Sequence, residues 1–231
     1  MKKNFVSTKD ESVRMFNNPI LDAVSRVHYT TPLIIFVPVV LFNLYKAVFT
    51  YQLSMLSVIA LYFSGLFVWS FAEYFLHRFL FHFEPPTEFG KRLHFVTHGV
   101  HHDYPNDSKR LVMPPALSIP LASAFYFFYV FVFGGYNLAA PFFAGFITGY
   151  LIYDMMHYAL HHASVNHPIF QALKRHHMVH HFQEPDRGFG VSSKLWDIIL
   201  RTTFKIDNRQ QKPTQQQQQQ EPKEQQGEKV A

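Results

Sequence analysis

Long apolar blocks separated by short polar ones dominate the first two thirds of the chain. Four of these blocks approach the roughly 20 residues a helix needs to cross about 30 Å of hydrocarbon. They run over 32–49, 53–72, 116–133 and 138–153. The first carries Pro38, Asn43 and Lys46, and the fourth carries Pro141, Gly145 and Gly149, so it spans only if extended by a turn. The second and third show no polar face at a 3.6-residue period, which argues against core helices of a soluble protein. Gly134-Gly135-Tyr136-Asn137 reads as the tight turn between the last two blocks.

Before the first block, residues 1–28 are mixed and basic, and are expected to form an amphipathic segment lying near the membrane surface. Residues 29–205 form the membrane domain. Residues 206–231, with Gln215 to Gln220 in a row, have no apolar face to bury and are expected to be a disordered tail. The first ten residues lack an apolar core and a cleavage site, so no signal peptide is expected. No repeat of 20–50 residues is present, and the end of the chain lacks a dilysine retrieval signal.

Charge sets the orientation. With four spans, the N-terminus, the 82–115 loop and the chain after Tyr153 share one side, and that side carries nearly all of the 21 basic residues. The turns near 50–53 and 134–137 contain neither Lys nor Arg. The positive-inside rule therefore places both termini and the large loops in the cytoplasm. The net charge of +5 is not arranged as a basic stripe with interleaved aromatics, so it points to a membrane surface and not to nucleic acid. Twenty-six Phe and twelve Tyr suit walls that face lipid or a lipid-like ligand.

The candidate chemistry is in the histidines. The chain has 15 of them and no cysteine, so any metal must be held by nitrogen or oxygen. His77 and His82 follow the second span; His94, His98, His101 and His102 lie in the loop after it. His157, His161 and His162 follow the fourth span, and His176, His177, His180 and His181 lie in the C-terminal segment. Positions i, i+3 and i+4 share a helix face, as in His98/His101/His102 and His177/His180/His181; His157 and His161 are an i, i+4 pair. His77 and His82 are about 140° apart on a straight α-helix. They are therefore expected to serve different metals, unless His82 lies where the helix ends before Pro85-Pro86. Lone histidines such as His28 and His167 read as structural.

Four spans bring all four clusters to one side of the membrane, which three or five would not do. Ionisable groups there are costly unless paired or coordinated. His77, His82, His98, His101, His102, His157, His161, His177, His180 and His181 would give two metals about five ligands each, leaving one position open on each. Structural zinc favours four ligands and closure, whereas imidazole-rich sites with open positions suit iron that activates dioxygen, although zinc can occupy them. Ligating imidazoles need acceptors behind them, and Glu73 and Asp154 are placed for that role; their plainer reading is as helix-end carboxylates.

Five segments then resemble the fatty acid hydroxylase superfamily, most closely the fatty acid (ceramide) 2-hydroxylases: EYFLHRFLFH from Glu73, HFVTHGVHH from His94, RLVMPP from Arg110, YLIYDMMHYALH from Tyr150 and GFGVSSKLWD from Gly188. The resemblance covers roughly residues 20–205. It implies an all-α integral membrane protein of the endoplasmic reticulum, with four transmembrane helices and a cytosolic, helical, histidine-rich cap over two metals. It also implies hydroxylation at carbon 2 of a long acyl chain, free or within a sphingolipid, using two iron ions and O2. The ten histidines match the family's ligands, and His94, His162 and His176 fall outside that set as candidates for supporting or proton-relay roles. Gly190, in the turn GFG, and Trp196 are expected to line the substrate's path. The His-Pro-Gly-Gly motif of a fused cytochrome b5 is absent, so electrons are expected from a separate cytochrome b5 or reductase. The nearest rival is a sterol or other lipid hydroxylase or desaturase of the same superfamily, which RLVMPP and GFGVSSKLWD argue against. A metal transporter would place its ligands within the spans at mid-membrane, whereas these lie at span ends and in loops.

Overall fold

The computed structural model describes residues 4–83 and 85–205, and among these the regular structure is entirely helical. The chain forms α1 (Pro19–Val24), α2 (Thr31–Tyr45), α3 (Met55–Leu76), α4 (Glu88–His94), α5 (Val100–Asp103), α6 (Pro115–Val132), α7 (Tyr136–His162), α8 (Pro168–Phe182) and α9 (Leu195–Ile199). Three π-helical turns interrupt or extend these helices: Lys46–Thr50 after α2, His77–Phe81 after α3 and Phe95–Gly99 between α4 and α5. The Gln-rich tail lies outside the described residues.

Local sequence accounts for several helix starts. The side chains of Asn18, Ser54 and Thr87 accept from the first free N–H groups of α1, α3 and α4. Pro32, Pro115 and Pro168 stand at the first turn of α2, α6 and α8, where a missing N–H costs nothing.

Among the described residues, four helices are long and apolar enough to cross a membrane: Thr31–Thr50, Met55–Phe81, Pro115–Val132 and Tyr136–His162. The second and fourth run further than hydropathy alone predicts, so His77 and, on α7, His157, His161 and His162 stand on the same continuous helices, and His82 directly follows the end of the second. The fourth is the central post, with 78% of its apolar window buried against 22%, 22% and 17% for the others. Its small residues make this possible. A Cβ on Gly145 would stand 1.8 Å from the Tyr62 carbonyl oxygen, and one on Gly65 would stand 1.9 Å from that of Phe142. α3 and α7 thus touch backbone to backbone, as small residues allow in membrane helices. Around this contact Phe36, Trp69, Tyr129, Phe146 and Tyr150 form the core. On the opposite face of α3, Phe63, Phe67, Phe71 and Phe75 form an exposed row at four-residue spacing. A stripe of that kind is stable against lipid and costly against water.

The cap gathers at one end of the bundle. There α3 and α7 finish, and α4, α5, α8 and α9 are placed around them. The N-terminal segment is more than a surface lead-in. Val6 and Ser7 donate to the Asp103 carbonyl, Ser108 N–H donates to Asp10, and Asn106 donates to the Thr8 carbonyl. The segment is therefore a strap fastened along residues 103–109 of the cap. α1 keeps apolar exposure through Ile20, Leu21 and Val24, as does Val6 nearer the N-terminus.

Candidate metal centre

All ten histidines singled out by spacing converge, in two groups of five. His77, His82, His98, His102 and His180 form one, and His101, His157, His161, His177 and His181 the other; within each, one nitrogen per residue lies within 4.8 Å of the rest. In the first group Nε2 of His77 is 3.1 Å from that of His98 and 3.2 Å from that of His82. His102 and His98 are 3.0 Å apart, as are His180 and His82. In the second group the distance is 2.8 Å for His157 and His101, 2.9 Å for His161 and His177, and 3.1 Å for His181 and His177.

The grouping bears on two points that spacing left open: His82 lies where the helix ends before Pro85-Pro86, one of the two expected arrangements, and the HxxHH motifs divide between the groups. His77 and His82 serve the same group. The chain between them is a π-helical turn closed by His82 N–H donating to the His77 carbonyl at 3.1 Å, and an i→i+5 turn stacks residues five apart on one face. The two HxxHH motifs also do not act as units. His98 and His102 join the first group while His101 joins the second; His177 and His181 join the second while His180 joins the first. Each group thus has a pair from a span helix, an i, i+4 pair from one HxxHH motif and a single imidazole from the other. On a regular α-helix the i+3 member points about 80° away from the midline of i and i+4, enough to cross between two neighbouring groups.

These donors fit metal ions. The Nδ1 of His77 lies 2.5 Å from the Phe189 carbonyl oxygen and that of His180 lies 2.7 Å from the Arg187 carbonyl oxygen. A carbonyl can only accept, so each Nδ1 carries the proton and each Nε2 presents a lone pair to the group. Neighbouring lone pairs at such distances repel unless a cation lies between them. Nitrogens about 2.1 Å from one ion stand about 3 Å apart along the edges of an octahedron, as found here. Burial, reinforced by neighbouring imidazoles, holds His98, His101, His177, His180 and His181 well below the ordinary value of 6.5. His102 is pushed down to about 3 for the same reason. The cluster stays neutral and able to coordinate.

The supporting residues divide. Glu73 touches no imidazole. Its carboxylate accepts from Val191 N–H and Ser192 N–H, each at 2.8 Å, and from the Ser192 hydroxyl. It therefore anchors the loop whose Phe189 carbonyl orients His77. His176 donates to Asp197 at 3.1 Å, and Asp197 also accepts from Phe189 N–H, Gly190 N–H and the Thr202 hydroxyl. Burial alone would raise the Asp197 carboxyl, but these hydrogen bonds and His176 outweigh it and hold it low. Asp197 went unselected in the sequence, although it closes the GFGVSSKLWD segment. His94 lies against Gly99 and lines an open cleft with His82 and His102. His162 stacks on Tyr158, outside both groups.

A cavity of about 290 Å³ reaches His98 of the first group and His101 and His157 of the second. Leu111, Val112 and Met113 of the RLVMPP segment line it, together with Tyr153, Asp154 and apolar residues of the strap and of α4. Asp154 belongs to this wall and makes no hydrogen bond to an imidazole. Gly190 and Trp196 are not among the residues that line this cavity. Gly190 is closed in by Ser193 and Asp197. Trp196 rests on Phe71 and donates to the Ser70 hydroxyl at 3.0 Å, on the outer face of α3.

Comparison with known proteins bears on the family and the fold. A family model described as fatty acid hydroxylase matches residues 62–202. A dihydroceramide fatty acyl 2-hydroxylase of Arabidopsis thaliana is 34% identical over 208 residues, covering 89% of this chain and 86% of the relative. A fatty acid 2-hydroxylase of Mus musculus is 39% identical over 217 residues, covering 82% of this chain and 56% of the relative, so the chain spans about half of that protein. A solved structure of full-length scs7p, in which only the hydroxylase domain is visible, superposes with a TM-score of 0.76 at 36% identity. That match covers 82% of this chain and 71% of the other. With the matched model spanning both histidine groups and well over half of the chain, the chain belongs to the fatty acid hydroxylase family.

Proposed function

We propose that this protein hydroxylates carbon 2 of a long acyl chain, free or within a sphingolipid, at two iron ions held by the two groups of five histidines. The observation that carries the reading is the cavity, whose largely apolar wall ends on imidazoles of both groups. The names of the relatives, which specify fatty acid and dihydroceramide fatty acyl 2-hydroxylation, support the choice of carbon. One oxygen atom of O2 enters the C–H bond and the other leaves as water, with two electrons and two protons. The electrons come from cytochrome b5 or a reductase. The enzyme resides in the endoplasmic reticulum membrane with both termini in the cytoplasm, an orientation that the charge asymmetry supports.

Iron at the two groups supplies the activation of O2 and the oxidation of the C–H bond; the protein supplies binding, orientation and shielding. Leu21, Val24 and Leu93 line the cavity and are also exposed, and they stand beside Ala116 and Leu117 at the start of the third span. A lipid reaches the cavity laterally through this apolar rim. Val112 and Met113 bear on its chain near the imidazoles and keep water away. The Phe189 and Arg187 carbonyls hold the protons of His77 and His180 on Nδ1, so that Nε2 remains free for metal. Asp197 and Glu73 hold the loop that carries the Phe189 carbonyl.

The test is expression of the full chain in a yeast strain lacking its own sphingolipid 2-hydroxylase, followed by mass spectrometry of ceramides. Hydroxylated acyl chains with the intact protein, and none with His180→Ala, are expected. A membrane-bound, metal-loaded protein that changes only sterols or acyl unsaturation would overturn the assignment and favour another lipid oxidation.

A further inference from the structure

The cavity has one wall from a remote part of the sequence. Met15, Phe16, Leu21 and Val24 of the N-terminal strap face residues 110–114, some ninety positions later, across the same space. The strap is not draped there loosely. Asp22 is its hub: its carboxylate accepts from Met15 N–H at 2.7 Å, from Arg26 at 2.6 Å and from Arg110 at 3.4 Å. Arg110 in turn reaches Asp107 at 3.2 Å and the Ser25 hydroxyl at 3.4 Å. Arg92 donates to the Met15 carbonyl from the other flank. Asp22 and Arg110 are both buried, at 6% and 8% exposure.

Burying such a pair costs desolvation that the mutual attraction barely repays, so it contributes more to geometry than to stability. Here the geometry concerns the cavity. Arg110 opens the RLVMPP segment, so one guanidinium joins two cavity walls, 15–25 and 110–114. At the rim, Leu21 and Val24 are 49% and 53% exposed while also lining the interior. A lipid that enters must pass them.

We propose that residues 15–25 are a substrate-selecting wall, held in register against the RLVMPP segment by the Asp22–Arg110 pair. This rests on the reading that the cavity receives the acyl lipid. Selection follows from shape. Leu21 and Val24 set the width of the rim, Met15 and Phe16 set the space behind it, and the Asp22 hub fixes their distance from Val112 and Met113. A strap that served only as a cover would influence yield but not which acyl chains are oxidised.

The experiment uses the full chain in the same yeast strain and reads the ratio of hydroxylated very-long to hydroxylated long acyl chains. Protein level and bound iron are measured alongside. Val24→Trp, which narrows the rim, is expected to shift that ratio at least fivefold with iron unchanged. Val24→Ala, which should fold regardless, is expected to shift it the other way. Asp22→Asn is expected to flatten the preference. An unchanged ratio in all three, with total product retained or uniformly reduced, overturns this inference alone. Absence of any 2-hydroxylated product from the unaltered chain overturns the functional reading, and this inference with it.

Discussion

The Nδ1 of His77 donates to the carbonyl oxygen of Phe189, 2.5 Å away and 112 residues later in the chain. That single bond fixes the tautomer of a buried imidazole, aims its Nε2 at four others and makes the site depend on a loop. The loop is held in turn by Glu73 and Asp197. The first histidine group is therefore assembled from both ends of the domain.

Removing the anchor of that loop is expected to weaken the first group selectively. Glu73→Ala leaves Val191 N–H, Ser192 N–H and the Ser192 hydroxyl without their acceptor, at about 1–3 kcal/mol for each buried group. Loss of supporting contacts behind metal ligands typically costs about 10–100-fold in metal affinity or activity. Iron titration of the purified protein should show one weakened ion and one unchanged, with hydroxylation reduced at least tenfold. Equal weakening of both ions would contradict the role assigned to Glu73.

The contact between α3 and α7 should not tolerate a side chain. Gly145→Val places carbon where the Tyr62 carbonyl oxygen lies, 1.8 Å from the Cβ position. Overpacking commonly costs about 1–3 kcal/mol, and backbone on both sides leaves little room to relax. Thermal unfolding in detergent should fall sharply or the protein should fail to accumulate. Gly135→Ala, whose added Cβ would meet Asn137 Oδ1 at an ordinary 3.5 Å, is the control expected to behave as the unaltered chain.

Gly190 separates substrate choice from loop integrity. A Cβ there would meet the Ser193 carbonyl oxygen at 2.0 Å and Asp197 at 2.9 Å. Gly190→Val should lower stability and activity together while leaving acyl-length preference unchanged among the products that remain. A shift in that preference without loss of stability would place the glycine on the substrate's path.

The metal-free protein should be acid-sensitive. His98, His101, His177, His180 and His181 are held well below 6.5 when folded. Unfolding frees them to take up protons. A group depressed in this way favours the fold above its unfolded value and loses that contribution as pH falls. Melting temperature measured with a chelator should be flat between pH 7 and 8 and decline as pH drops below about 6.5. Bound metal should suppress the decline, because it competes with protons for the same nitrogens. A melting temperature that rises on acidification would contradict this neutral, buried cluster.

Much of this was legible in the sequence because hydropathy and spacing are local signals. The four spans follow from block length, and their even number brings every histidine cluster to one end. The ten converging histidines were visible for that reason. The partition between groups was not. Nothing in HRFLFH announces a π-turn, and only that turn puts His77 beside His82. Nor does an HxxHH motif declare that its i+3 member crosses to a neighbouring group, since the crossing depends on how α5 and α8 are docked. The strap was hidden for a similar reason: Asp22 and Arg110 are 88 positions apart, and each alone reads as a surface charge. Asp197 lay inside a motif already noticed, but its four hydrogen bonds come from tertiary structure.

The partition of the histidines into two metal sites is tested most directly by counting iron in double variants. The account predicts that His101→Ala with His177→Ala leaves one ion per chain, because both belong to the second group. His101→Ala with His180→Ala should deplete both sites, because it removes one ligand from each. If instead His101→Ala with His98→Ala spares a fully loaded ion, each HxxHH motif serves one metal, and the crossed arrangement described here is wrong.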